Sequence, residues 1–191
     1  MKADRTIKVI TDGSVRKHKG RRLLQMGILV LFPGDIIKRY TTECVYSIST
    51  TSNECEYMAL QAGIAEVHSY LKSLSNRGSA NPSDYDLVMY VDSELLAKQL
   101  IGECATKKES FKSMQKTIKR KAGLFNKASV YWHRRDADLA VVADYATRNP
   151  SERIENLHIQ FRQKDVSELV QEIYKRILTK ERNDEQASNE K

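Results

Sequence analysis

The sequence is poor in several features that mark whole protein classes. It has three cysteines, Cys44, Cys55 and Cys104, an odd number with no C-x-x-C pair. That argues against a disulfide framework and for inert thiols in a reduced, cytoplasmic compartment. No stretch approaches the roughly 20 apolar residues that a membrane-spanning helix needs, so no membrane role is expected. The opening Met1–Arg5 leads straight into a strand pattern and shows no signal-peptide character. His18, His68 and His158 have no metal-ligand spacing between them, which excludes a histidine-based zinc site. There is no internal repeat.

What is present is enough hydrophobic sequence for one core, 40% of 191 residues, and an excess of positive charge, +7. A chain of this length fits one domain with room for one extra element. A basic balance suits a polyanionic partner, and the placement of the basic residues says more than their number. Arg16, Lys17, Lys19, Arg21 and Arg22 form one run; Lys107, Lys108, Lys112, Lys116, Lys119, Arg120 and Lys121 form a second. Solvated faces would have the same composition.

The apolar pattern predicts a strand over 8–11, a second over 26–32, a hairpin turn at Pro33-Gly34-Asp35 and a returning strand over 36–47. Ser52 or Asn53 can cap a helix reaching about Leu74, with Tyr57, Leu60, Ile64, Val67 and Leu71 on one stripe. A polar loop over 73–84 precedes the continuous apolar run 87–91, the pattern of a central parallel strand. Helices over 93–101 and 109–124, a strand over 129–133 and a helix over 138–147 follow. Past Pro150, 157–161 can form a short strand. A helix from Asp165 or Ser167 then puts Val166, Leu169, Val170, Ile173, Tyr174, Ile177 and Leu178 on one stripe. This stripe can dock on its own domain, on a second copy in a homodimer or on a protein partner. The polar tail 183–191 is expected to fray.

Four carboxylates stand in distinctive surroundings. Asp12 follows the first strand and precedes Gly13-Ser14. Glu56 sits on the first helix after Thr50-Thr51-Ser52-Asn53. Asp92 ends the run 87–91 and precedes Ser93. Asp144 lies in Ala143-Asp144-Tyr145-Ala146, downstream of Trp132-His133. Strand-end and helix-borne carboxylates in this order are how a chain gathers hard oxygen ligands for Mg²⁺. Glu54, only two positions before Glu56, faces away from it on a helix and is excluded as a ligand.

The order and contexts resemble the ribonuclease H family, type 1, from about Thr6 to Pro150. The resemblance implies an α/β fold, a mixed five-stranded sheet with helices on both faces, over residues 1–150. Residues 151–191 would be a C-terminal extension carrying the amphipathic helix and polar tail. It implies that Asp12, Glu56, Asp92 and Asp144 hold two Mg²⁺ or Mn²⁺ ions. Asp12 would bridge them, Asp144 would serve the ion carrying the attacking water, and Glu56 and Asp92 the ion near the leaving group. His133 matches loosely a family histidine that assists product release or proton transfer. Ser14, Thr51, Ser52 and Asn53 would contact substrate, and the activity would be endonucleolytic hydrolysis of the RNA strand of an RNA–DNA hybrid.

The chain departs from the family pattern in three places. Val15–Gly20 replaces a Gly-Asn-Pro-Gly turn, so Arg16, Lys17 and Lys19 would grip phosphates instead. Ala140 occupies the place of a family Asn, which leaves Asp138 as a competitor of Asp144 for the fourth position, or as the N-cap of its helix. No Trp stands between Asp92 and Trp132, as in the branch without a basic protrusion. Two rival functions stay open: a nuclease of the same fold acting on another nucleic acid, and a non-catalytic nucleic-acid-binding module.

Overall fold

The computed structural model describes residues 5–18, 21–34, 36–46, 50–75, 80–132, 153–154 and 162–164. The long strands are β1 (Thr6–His18), β2 (Arg21–Phe32), β3 (Ile36–Tyr46), β4 (Asp86–Val91) and β5 (Lys127–Trp132). The helices are α1 (Ser52–Ser75), α2 (Glu94–Ile101) and α3 (Glu109–Ala122). A 3-10 turn at Pro82–Asp84 and two short strands, β6 (Arg153–Ile154) and β7 (Arg162–Lys164), complete the described elements. The sheet order is β5-β4-β1-β2-β3-β6, with β7 also on β3. β1, β2 and β3 form the antiparallel meander expected from the sequence, and β4 and β5 continue parallel to β1. The mixed sheet follows from the connections: short turns join the meander, whereas helices carry the chain back between β4 and β5. The pairings of β6 and β7 with β3 lie past Pro150.

One core unites Ile7 and Val9 of β1, Ile28 and Val30 of β2, and Leu87, Met89 and Val91 of β4 with the buried stripe of α1. Leu96 and Leu100 of α2 and Ile118 of α3 join it from the same side of the sheet. All five positions of the α1 stripe predicted from periodicity are buried, each large aliphatic contributing about 2 kcal/mol. Ile10 and Leu29, on the opposite side of the sheet, are equally buried. The helix expected over 138–147, the strand over 157–161 and the C-terminal amphipathic helix lie outside the described residues.

Two expectations are corrected. The first strand does not stop at residue 11 with Asp12 just after it. β1 continues to His18, and Gly13 pairs with Met26 in the β1–β2 ladder. β-branched and long side chains on both strands, Val15 opposite Leu24 among them, keep the hairpin zipped well past Asp12. The basic run therefore begins within the strand, at Arg16, four residues and about 13 Å beyond Asp12, and the described strand ends at His18. The second correction concerns the start of α1. Its cap is Thr51, not Ser52 or Asn53. The Thr51 hydroxyl accepts from Glu54 N at 3.3 Å, and Glu54 Oε2 accepts from Thr51 N at 2.9 Å. This reciprocal pair is a capping box; Asn53 also has a glutamate three positions on, but that residue, Glu56, is buried against the sheet, whereas Glu54 folds back on Thr51.

Helix and sheet meet with glycine on either side of the contact. A Cβ built on Gly63 of α1 would stand 2.7 Å from Val9 Cγ1. A Cβ on Gly13 would stand 2.7 Å from both Cys55 C and Glu56 N, so β1 touches the backbone of the first turn of α1. Here the glycine serves close approach rather than an unusual φ. Gly13→Ala should therefore destabilise the protein by about 1–3 kcal/mol, the usual cost of overpacking against atoms that cannot rotate away. That exceeds the roughly 0.4–1 kcal/mol gained by stiffening the unfolded chain. A urea midpoint unchanged or raised in Gly13→Ala would contradict this packing.

Candidate active site

Asp12, Glu56 and Asp92 converge. Each offers a carboxylate oxygen, and these atoms all lie within 4.8 Å of one another. The backbone explains how. The last β1–β4 pair is Thr11 with Val91, so Asp12 and Asp92 are the next residues on two adjacent parallel strands. The chain turns away directly after Asp92, because Ser93 caps α2 by accepting from Leu96 N at 3.3 Å. Trp132, at the end of β5, donates its indole N–H to the Asp92 carbonyl at 3.2 Å and braces the same strand end. Glu56 arrives from the other side on the first turn of α1, brought in by the close approach at Gly13. Cys55 beside it is buried, and its thiol donates to the Ser14 carbonyl at 3.3 Å and the Gln25 carbonyl at 3.5 Å. It is a packing group, as expected of these cysteines.

The electrostatics of the cluster are adverse without a cation. Burial pushes the Glu56 carboxyl well above its ordinary range, and the neighbouring Asp92 and Asp12 push it further. The Gly13 N–H opposes this only in part. Glu56 Oε2 is buried and, among the described residues, has no hydrogen-bond partner. A buried acceptor left over in a cluster of three acids is the donor set that a hard divalent cation fits, since the ion supplies the positive charge that burial withholds. These residues could hold such an ion.

The other sequence-derived candidates are distributed as follows. Thr51, Ser52 and Asn53 are exposed at the start of α1. The Thr51 hydroxyl is engaged in the capping box, and it also lies 3.2 Å from Glu54 Oε2. Ser14 is half-buried and Arg16 exposed on β1 beyond Asp12. Side chains of Lys17 and Lys19, and the whole of His133, Asp138 and Asp144, lie outside the described residues. Glu54 does face away from the cluster: its Oε1 meets Lys108 Nζ at 2.7 Å. Two supporting groups escaped sequence reasoning, Trp132 and Lys108. The first left a signal in being the lone Trp at the end of a strand. The second left none, because the partner of an exposed lysine is not encoded locally.

No family model matches the chain, and no curated protein matches it. Among solved structures the chain is similar to the RNase H1 of the halophilic archaeon Halobacterium salinarum, with 18% identity, a TM-score of 0.54, and coverage of 75% of this chain and 95% of that one. It is similar to the N-terminal RNase H domain of a Mycobacterium tuberculosis protein, with 16% identity, a TM-score of 0.55, and coverage of 77% and 99%. It is also similar to LC11-RNase H1 in complex with an RNA/DNA hybrid, with 18% identity, a TM-score of 0.56, and coverage of 74% and 94%. The resemblance read from the motifs is borne out at the level of architecture: the chain has the ribonuclease H-like fold.

Proposed function

We propose that the protein is a metal-dependent endonuclease that hydrolyses the RNA strand of RNA–DNA hybrids. The observation that carries the reading is the convergence of Asp12, Glu56 and Asp92 within 4.8 Å. Mutually repelling, partly buried acids serve binding to a polyanion poorly, which disfavours a purely binding role. The fold is shared with enzymes named as RNase H, one of them in complex with an RNA/DNA hybrid. Bound Mg²⁺ or Mn²⁺, two ions with Asp144 as the fourth ligand, would supply an activated water and charge for the leaving alkoxide. The chain's own part is to hold the carboxylates in fixed geometry: Asp12 and Asp92 by adjacent strands, Glu56 by the capped first turn of α1. Ser52 and Asn53, exposed above this turn, have the donors and acceptors to read a 2′-hydroxyl. The hairpin β1–β2, with Arg16, Lys17 and Lys19, would grip phosphates at a distance from the reacting bond. A nuclease acting on another nucleic acid is the second reading, favoured by one observation: the segment after Ser14 is a continued strand and offers no turn to approach a hybrid. The deciding assay compares hybrid, duplex RNA, duplex DNA and single strands with Mg²⁺ and with Mn²⁺; cleavage of DNA alone would overturn the first reading.

Substitution of a ligand separates chemistry from folding. Asp12→Asn or Asp92→Asn should reduce cleavage to background while the fold survives. Without divalent ions the melting temperature at neutral pH should hold or rise. The sign follows from Glu56: a carboxyl held above its ordinary value favours the folded state at low pH, and that contribution is lost as pH rises through the folded value. Removing one neighbouring charge lessens the loss. Turnover like the parent protein in either variant would remove the metal mechanism.

The fourth carboxylate is tested by ranking. Asp144→Asn should cost orders of magnitude in rate, whereas Asp138→Ala should cost about 1 kcal/mol of stability, the value of a helix cap. The opposite ranking in paired kinetic and melting measurements would exchange their roles.

Substrate binding is tested by salt. Neutralising Arg16, Lys17 and Lys19 should weaken binding to every duplex. Its salt dependence should flatten by up to about 0.9 log unit of slope for each DNA phosphate that is no longer neutralised. Hybrid preference should hardly change. Asn53→Ala should lower hybrid preference and leave the slope alone. Slopes unchanged by the triple neutralisation would make the hairpin a solvated loop.

A further inference from the structure

We propose that Lys108 is a positioning residue for the carboxylate site: from the start of α3 it fixes the first turn of α1, and with it Glu56, against Asp12 and Asp92. The inference rests on the reading of the site as a cation site. Glu54 and Glu56 are two positions apart on α1, about 200° around the helix, so the first turn is gripped on opposite flanks. On one flank β1 touches it at Gly13 and Glu56 enters the cluster. On the other, Glu54 collects four donors: Thr51 N at 2.9 Å and Thr51 Oγ1 at 3.2 Å through Oε2, and Lys108 Nζ at 2.7 Å and Ser110 Oγ at 3.4 Å through Oε1. One carboxylate thus ties the cap of α1 to the start of α3.

Two features separate this ion pair from an ordinary surface pair. Lys108 occupies the N-cap position of α3, where Ser, Thr, Asp or Asn would satisfy the helix end, and no side-chain cap bond is made there. Its side chain crosses to Glu54 instead. The ammonium also lies 5.2 Å from the centroid of the Phe111 ring, and Phe111 stacks at 5.1 Å on Tyr57, the buried neighbour of Glu56. Lys108 therefore reaches the first turn of α1 by two routes, through Glu54 and through the Phe111–Tyr57 stack. The Glu54 side chain is only 15% exposed, against 51% for Lys108, so the carboxylate end of the pair is partly shielded from solvent. The mechanical need is plain: repulsion among Glu56, Asp12 and Asp92 tends to drive the first turn of α1 off the sheet, and an anchor on its outer side resists that displacement.

The test uses the full-length protein and Mn²⁺ alone. Binding is measured by calorimetry in the absence of nucleic acid, with amide hydrogen exchange at Cys55 and Glu56 read in parallel. Lys108→Met should weaken Mn²⁺ binding about tenfold, the scale of groups that orient metal ligands, and speed exchange in the first turn of α1. Lys108→Arg should restore most of the affinity. Glu54→Gln should also weaken binding, and the double variant should lose clearly less than the sum of the two single losses, because both remove the shared Lys108–Glu54 link. A general loss of stability would not give rescue by Arg together with non-additivity. Mn²⁺ binding in Lys108→Met equal to the parent, or fully additive losses in the double variant, would overturn the proposal. If the parent protein binds Mn²⁺ and Asp92→Asn abolishes it, that failure concerns Lys108 alone. Absence of Mn²⁺ binding in the parent would instead overturn the cation site and this inference with it.

Discussion

Three carboxylates brought within 4.8 Å of one another repel, and the close approach of β1 to α1 at Gly13 is what holds them there. The cost of that arrangement falls on Glu56, the most buried of the three, whose ionisation is opposed by burial and by its neighbours. The remaining architecture can be understood as resistance to this repulsion. The β1–β4 ladder fixes the spacing of Asp12 and Asp92, Ser93 turns the chain out of the sheet, and Trp132 braces the Asp92 carbonyl. The core beneath α1, with Leu60, Ile64 and Val67 fully buried, supplies the hydrophobic stabilisation against which a strained site can be kept.

A glycine without an unusual φ can be as constrained as one in a turn. Gly13 reads in the sequence as lying past the first strand, yet it lies within β1 and is paired with Met26. What forbids a side chain there is the backbone of Cys55 and Glu56. Gly63, further along α1, plays the matching part on the helix, where Val9 occupies the space of its missing Cβ. Helix and sheet are therefore drawn together over several turns of α1, and the position of Glu56 is set by packing over this whole interface.

The length of β1 changes how a polyanion could lie on the protein. A turn just after Asp12 would have put the basic run at the reacting bond. A hairpin extended through His18 places it about 13–20 Å along the strand direction. Charge on such an arm steers and orients a duplex; it does not stabilise a transition state at the metal ligands.

Local sequence was enough to define the elements and most of the site. Short apolar runs bounded by turn residues mark the five long strands and a period of 3.6 marks the buried stripe of α1, because the demand to bury apolar side chains is local. The contexts of Asp12, Glu56 and Asp92 were legible for the same reason: each carboxylate follows a strand or starts a helix whose signal is short-range. The cap of α1 was only half legible, because Thr51 with Glu54 and Asn53 with Glu56 both have the capping-box spacing and burial of Glu56 in the fold decides between them. How far β1 runs past Asp12 was a matter for the folded chain, since strand length is set by pairing with β2 and not by the residues of β1 alone. So too were the close approach at Gly13, the brace of Trp132 on Asp92, and the meeting of Glu54 with Lys108 across 54 residues. Those interactions join segments far apart in the chain, and no local pattern encodes the partner of a residue that the fold brings from elsewhere.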